Sequence, residues 1–511
     1  MQPYNAAVDL LAPNLAAGRA DRIAYIDDRE QVSFAALAER VDRAGNVLRG
    51  LGVQPEQRVF MAMLDTIDFV AVFLAALKIG AVPVPVNTLL QPADYAPMLH
   101  TSRARVLVVS DALLPKLRAA RDACPDLATV IARTPAGGPD DGHPRLGDLV
   151  ARAAPTLNPA PTSADDVAFW LFSSGSTGAP KGVVHLHSHL RQTAALYARG
   201  VLGLHEDDRV FSAAKLFFAY GLGNALTFPL SVGATTILHA DRPSPAAVFA
   251  ALDRHACTVF CGVPTLFASM LADPAHAELR LPALRVCTSA GEALPRQVGE
   301  RWQARFGAEI LDGIGSTEML HIFLSNRPGE VRYGTSGKPV PGYDLKLIAD
   351  DDRPVADGEE GSLWVRGPTA ATHYFNRRDA SLATFHGPWT RTGDRYVRDA
   401  DGYYTHCGRA DDMLKVGGIW VSPVEVESAL TAHDAVLEAA VVGHADDDRL
   451  IKPKAFVVLK DPAQASPELA AALKTFIKST LAPYKYPRWI EFVDSLPRTA
   501  TGKLQRFRLR A

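Results

Sequence analysis

Residues 172–182 read FSSGSTGAPKG and follow the apolar, strand-like run VAFWLF. Ser173, Ser174, Gly175, Ser176 and Thr177 are five small residues in succession. They offer hydroxyls and closely spaced backbone N–H groups, which together can wrap the oxygens of a triphosphate. Gly175 and Gly178 let the backbone approach a ligand closely, and Lys181 adds a compact positive charge suited to a phosphate. A flexible connection that binds nothing can have the same composition, so the loop needs support from the rest of the chain. Its spacing is not GxxxxGK[ST], because Lys181 follows Pro180 and precedes Gly182, and no G-x-G-x-x-G replaces it. Neither of the two common nucleotide-binding folds is therefore expected here.

Further short segments follow in order: SAGEALP (289–295), DGIGSTE (312–318), TGD (392–394), GRADD (408–412) and PRTATGK (497–503). With SSGSTGAPKG they resemble the motifs of the adenylate-forming superfamily, which includes acyl- and aryl-CoA ligases, luciferases and peptide-synthetase adenylation domains. The resemblance spans nearly the whole chain, and it rests on the motifs occurring in sequence rather than on any one of them.

The resemblance implies substrates ATP and CoA and a Mg²⁺ ion. Thr317 is expected on an α-phosphate oxygen. Glu318, with Thr177, is expected at the Mg²⁺, a hard cation that shares oxygen ligands with phosphates. Ala290, Gly291, Glu292, Asp312 and Gly313 would wall the adenine and acyl site. Asp394 would accept both ribose hydroxyls, as a carboxylate can, and Arg409 would reach the ribose or phosphate. Lys503 matches the catalytic lysine of adenylation, bridging the acyl carboxylate and ATP. Asp411 matches the hinge on which a small C-terminal domain turns before thiolysis. Gly417 and Gly418 would admit the pantetheine arm, with Trp420 beside it and Lys485 and Arg488 near the CoA nucleotide. The Lys503 context also resembles that of lysines acted on by an acetyltransferase; acetylation would remove the charge. Without the PRTATGK context, Lys503 would read as part of a flexible basic tail, LQRFRLR.

The acid is read from KLFFAYGLGN (215–224). Many relatives carry histidine where this chain has Phe218-Ala219-Tyr220. Phe218 and Tyr220 with small Ala219 and Gly221 can form a flat apolar slot that suits a planar ring better than a long chain. Gly313, Ile314, Gly315, Ala290 and His321 are expected around it. This segment, with GSTEMLHIFLSN, resembles the aryl-CoA ligases that act on benzoate and hydroxybenzoates in aromatic acid degradation. Tyr220 or His321 could pair with a ring hydroxyl, so a 4-hydroxybenzoate ligase stays open. An enzyme loading a carrier protein, an oxygen-using luciferase type and a non-catalytic nucleotide sensor are the other readings.

These residues need a scaffold. The chain has 511 residues, too many for one core, and 48% apolar with 22% charged content is that of a globular protein. Net charge is −2, which gives no sign of a nucleic-acid partner. Alternation of strand-like runs (22–28, 58–64, 81–87, 105–110) with helix-like ones (33–52 and the buried run FVAVFLAAL, 69–77) predicts α/β layers with mostly parallel sheets. FVAVFLAAL is too short to cross a membrane. With no signal-peptide pattern and five scattered cysteines, a cytoplasmic location and no membrane contact are expected. Residues 333–409 read as a β-rich subdomain. The expected architecture is a large N-terminal ATP- and acid-binding domain over 1–410 and a small mobile α+β domain over 411–511, in a chain that resembles homodimer-forming relatives.

Overall fold

The structure is a computed structural model that describes residues 3–124, 127–132, 142–173, 180–409, 412–416, 419–446, 450–481, 485–498 and 504–510, without the side chains of Lys415, Ile419, Trp420 and Phe507. Every statement of number or absence below is made of those residues.

The run FVAVFLAAL lies inside the helix Ile67–Lys78, where every residue from Phe69 to Leu77 is buried. Asp68 in its first turn and Lys78 in its last complement the helix dipole. The neighbouring helix, Phe34–Gly50, is capped by Ser33, whose hydroxyl accepts from the Ala36 N–H at 3.2 Å. Its buried residues Phe34, Leu37, Val41, Ala44 and Leu48 recur at helical spacing. No helix is long and apolar enough to cross a membrane.

The two helices cover a four-stranded sheet of order Val82–Pro85, Arg58–Ala62, Val106–Ser110, Ala128–Ala132, parallel throughout. A second sheet has nine strands. Its interior runs parallel through Ile23–Ile26, Thr235–Ile237, Arg209–Ser212, Val259–Gly262, Val286–Ser289 and Glu309–Gly315. Antiparallel strands, Gln31–Ser33 and Ile322–Ser325, flank those six. The parallel layers expected from the alternating sequence are therefore present, with antiparallel strands toward the rims.

Between these sheets stands a separate antiparallel hairpin, Val167–Ser173 with Lys181–Leu186. Phe169, on the first strand, lies 5.7 Å ring to ring from Phe73 of the buried helix. The β-rich region is a five-stranded antiparallel sheet built on Asp344–Ile348, Glu360–Arg366, Trp389–Arg398, Phe385–His386 and Tyr404–Arg409. After Arg409 comes a smaller α+β unit. It holds a three-stranded sheet (Val436–Ala445, Ile451–Leu459, Trp489–Phe492) and helices Pro423–Thr431 and Pro467–Thr480. Val426, Leu430, Val441, Val457, Leu473 and Ile477 form a hydrophobic cluster of its own.

The five cysteines are all free; Cys257, Cys261 and Cys287 are buried, whereas Cys124 and Cys407 are half-buried. The basic C-terminal stretch is held in place rather than loose. Arg506 pairs with Glu427 at 2.7 Å and Asp412 at 3.4 Å, and Arg510 also pairs with Asp412.

Phe73 is fully buried and joins the helix layer to the hairpin. Phe73→Ala should destabilise the large unit by about 3–5 kcal/mol through lost burial and the cavity left behind. Urea unfolding followed by fluorescence checks this, and a loss below about 1 kcal/mol would contradict the packing described.

Candidate active site

The parallel strands of the large sheet end on one side, and the sequence-predicted residues follow those ends. Lys215–Tyr220 comes soon after Arg209–Ser212, Ala290–Glu292 directly after Val286–Ser289, and Ser316–Glu318 directly after Glu309–Gly315. Open α/β sheets bind ligands in this crevice.

The expected phosphate loop connects two antiparallel strands, not a strand to a helix. Ser173 and Lys181 face each other across its base. Ser174, Gly175, Ser176, Thr177 and Gly178 lie outside the described residues. Ser173 Oγ is buried without a hydrogen-bond partner, a condition that a ligand oxygen would relieve.

Two side chains that sequence reasoning did not single out join this hairpin to Thr317 and Glu318. His185, on its second strand, is fully buried, and burial holds its imidazole well below the usual range. A carbonyl can only accept, so the neutral ring donates from Nε2 to Thr317 O at 2.8 Å. Its Nδ1 lies 3.1 Å from His189 Nδ1. Tyr374 is the second. The chain around it lies along the hairpin, with Val184 N–H bonded to His373 O and Phe375 N–H to Gly182 O. The Tyr374 hydroxyl donates to Glu318 Oε1 at 2.8 Å, and Lys181 Nζ sits 4.4 Å from the centre of its ring. Glu318 Oε2 takes no hydrogen bond among the described residues. Lys181 and Glu318 are thus drawn to one aromatic ring from separate elements.

The residues expected around the acid gather several aromatic rings around His321. His321 lies 4.5 Å from Phe228, 5.1 Å from Tyr197 and 5.5 Å from Tyr220, ring to ring. Burial pushes its imidazole down to about 3, so the ring is neutral. Its Nε2 is 3.3 Å from Tyr220 O, and its Nδ1 is buried without a partner. Gly223 must be glycine here, since a Cβ would stand 2.4 Å from His321 Cδ2. The Tyr220 hydroxyl donates its one proton to backbone oxygens, at 2.9 Å to Thr288 O and 3.2 Å to Gly262 O. It was expected as a partner for a ring hydroxyl and retains only accepting capacity, as does the unpartnered His321 Nδ1. Ala219 and Gly221 are buried and Phe218 is half-buried. Gly221 lies over the Lys215 carbonyl, 2.0 Å from where its Cβ would be. Gly313 and Gly315 are required mainly by strand pairing, because a Cβ on either would collide with the backbone of Ile322–Ser325 or of His321. Half-buried Ile314 lies between them.

Asp312 is buried with Oδ1 unpartnered, and burial pushes its carboxyl up to about 8. Asp394 and Arg409 are cross-strand neighbours, with Arg409 Nη1 3.4 Å from Asp394 Oδ1. Two of the residues expected at ligands carry ion pairs. The Glu292 carboxylate is taken by Arg498 at 2.6 Å. Lys485 is held by both oxygens of Glu425, at 2.6 and 2.7 Å, because the two face each other inside the small unit. Arg488 stacks on Tyr486 at 4.1 Å. Asp411, Gly417, Gly418, Lys503 and the Trp420 side chain lie outside the described residues. The donors present suit a magnesium nucleotide. They combine an orphaned hydroxyl and carboxyl oxygen, a lysine at the loop base, and a carboxylate with one oxygen available.

Residues 14–375 match the model of the AMP-binding enzyme family, and residues 425–503 match the AMP-binding enzyme C-terminal domain. The chain belongs to this family of adenylate-forming enzymes. It is 58% identical to a benzoate–CoA ligase of Thauera aromatica, over 99% of this chain and 96% of that one. It is 50% identical to a 4-hydroxybenzoate–CoA/benzoate–CoA ligase of Rhodopseudomonas palustris, over 100% of this chain and 94% of the other. Among solved structures, a benzoate CoA ligase from Burkholderia xenovorans superposes with TM-score 0.92 at 53% identity, covering 99% of this chain and all of that one. An anthranilate CoA ligase in complex with anthranoyl-AMP superposes with TM-score 0.95 at 44% identity, over 100% and 97% of the two chains.

Tyr374 and Glu318 are 56 positions apart, and only the aromatic in THYFN beside an otherwise polar stretch hinted at the former. Tyr374→Phe removes one hydrogen bond to a charged group, worth about 1.5–3 kcal/mol. The KM for ATP should rise roughly tenfold or more and the melting temperature should fall by about a few degrees, with the KM for the acid little changed. Steady-state kinetics at fixed Mg²⁺ check this; a drop in Tm with the ATP KM intact would contradict it.

Proposed function

We propose that this chain joins benzoate to CoA at the expense of ATP, through a benzoyl-adenylate, giving benzoyl-CoA, AMP and pyrophosphate. The observation that carries the proposal is the aromatic cluster of Phe228, Tyr197, Tyr220 and His321, a few residues from the Thr317–Glu318 segment. Flat apolar surfaces of this kind suit an aromatic ring, whose carboxylate would then point toward the phosphates. The near-full-length likeness to benzoate-activating relatives supports the same acid.

In the first half-reaction a carboxylate oxygen attacks the α-phosphorus in line. A new P–O bond forms as the bond to the β-phosphate bridging oxygen breaks, and pyrophosphate leaves. Two anions must be brought together, so positioning and charge neutralisation do most of the work. Ser173, Lys181 and the loop between them would cradle the phosphates, with Thr317 on the α-phosphate. Asp394 and Arg409 would take the ribose, and Lys503 would bridge the carboxylate and ATP. Mg²⁺ would be held by Glu318 with Thr177 and would neutralise phosphate charge. In the second half-reaction the CoA sulfur attacks the acyl carbon and AMP departs. Residues 411–511 would turn at Asp411 between the steps, bringing Gly417, Gly418 and Trp420 to the pantetheine arm, with Lys485 and Arg488 toward the nucleotide. His321 Nδ1, buried and unpartnered, is the feature favouring some acceptance of hydroxybenzoates.

A panel assay with ATP, free CoA and no carrier protein tests the assignment. The kcat/KM should be highest for benzoate, lower for 4-hydroxybenzoate and cyclohexanecarboxylate, and lowest for hexanoate. A preference for hexanoate, or a requirement for a carrier protein, would contradict it.

A further inference from the structure

Arg498 belongs to the small unit and precedes Lys503 by five positions. An isolated backbone bridge pairs Arg498 with Leu504, and Gln505 N–H bonds to Pro497 O at 2.8 Å. The chain on either side of Thr499–Lys503 is therefore tied together at its base. The Arg498 guanidinium holds two carboxylates from different units. Nη1 lies 2.6 Å from Glu292 Oε1, and Nη2 lies 3.0 Å from Glu438 Oε2. Glu292 is in the large unit, just past Ala290 and Gly291 at the end of Val286–Ser289; Glu438 is on the small unit's strand Val436–Ala445. A second bond crosses nearby, from Gln297 Nε2 to Thr431 Oγ1 at 3.3 Å.

A carboxylate at Glu292 gains nothing from triphosphate oxygens, which repel it. Burial raises its carboxyl, and the guanidinium opposes that rise. Glu292 and Glu438 thus share one directly bonded cation, with Arg506 also acting on Glu292 at longer range. All three side chains keep about a quarter of their surface exposed, at 24%, 24% and 25%. Ion pairs of that exposure are modest in strength and can be broken and rehydrated, as a contact that must form and release in every turnover requires.

We infer that Arg498 is a positioning residue that pins the small unit against Glu292 in the arrangement presenting Lys503 to ATP and the acid, and that this contact opens for thiolysis. The inference rests on the reading that Lys503 serves adenylation and that the small unit turns between half-reactions. Glu292 accordingly acts as a docking point for the small unit and not as an ATP ligand.

The test uses full-length R498A, R498K and E292Q with the half-reactions measured separately. Pyrophosphate release is followed with ATP and an acid the wild-type enzyme activates, without CoA. CoA-ester formation is followed from supplied acyl-adenylate. R498A should slow the first by at least about tenfold, with the KM for ATP unchanged, and leave the second at the wild-type rate. R498K should recover most of the loss. E292Q should match R498A, and the double variant should be no worse than either alone, because both remove one contact. Equal loss of both half-reactions in R498A, or normal pyrophosphate release, would overturn the inference. So would a raised ATP KM in E292Q alone. A wild-type enzyme releasing no pyrophosphate with any acid would instead strike the adenylation reading itself.

Discussion

The hydrogen bond from the buried imidazole of His185 to the carbonyl of Thr317 joins two sheets that share no strand. On one side stands the hairpin Val167–Ser173 with Lys181–Leu186; on the other, the strand Glu309–Gly315 and the segment that follows it. An imidazole in this setting must stay neutral to remain buried. His189 packs beside the other ring nitrogen. Lys181 and Glu318 reach a common neighbour, Tyr374, only because that junction fixes how far apart their strands lie. The catalytic geometry is thus set by uncharged groups, and the charged ones are suspended from them.

The same division runs through the acid site. The aromatic cluster proposed to receive the ring is built from neutral aromatics and a neutral histidine, with the Tyr220 hydroxyl satisfied by backbone oxygens. Apolar walls with few free polar atoms discriminate by shape, and a methylene or a hydroxyl changes affinity only modestly in such a pocket. The unpartnered His321 nitrogen is the exception, and it marks the place where ring substituents would be distinguished. Charge is concentrated instead at the edge of the crevice and between the two units, where Asp394, Arg409, Glu292 and Arg498 lie.

Much of this was legible in the sequence, for a physical reason. Elements that make demands on the backbone leave local marks: the apolar helix at 67–78, the Ser33 cap, and the glycines at 313 and 315. The α/β layering followed from the alternation of strand-like and helix-like runs. What stayed hidden were bonds between distant positions. His185 and Thr317 are 132 residues apart, and Glu292 and Arg498 are 206 apart. Glu292 sits in a segment whose resemblance pointed to ATP, and nothing local shows that its carboxylate is used across the unit boundary. Lys485 is similar, since its partner Glu425 lies 60 positions away. The glycines at 313 and 315 were noticed as pocket residues, whereas what their backbone positions require is strand pairing.

The central claim is that the acid becomes activated by attack of its own carboxylate on the α-phosphorus. Benzoate labelled with ¹⁸O in both carboxylate oxygens tests it directly when turned over with ATP and CoA and analysed by mass spectrometry. One labelled oxygen should appear in AMP for each CoA ester formed, with none in pyrophosphate. Unlabelled AMP, or label in a free phosphate product, would contradict an acyl-adenylate.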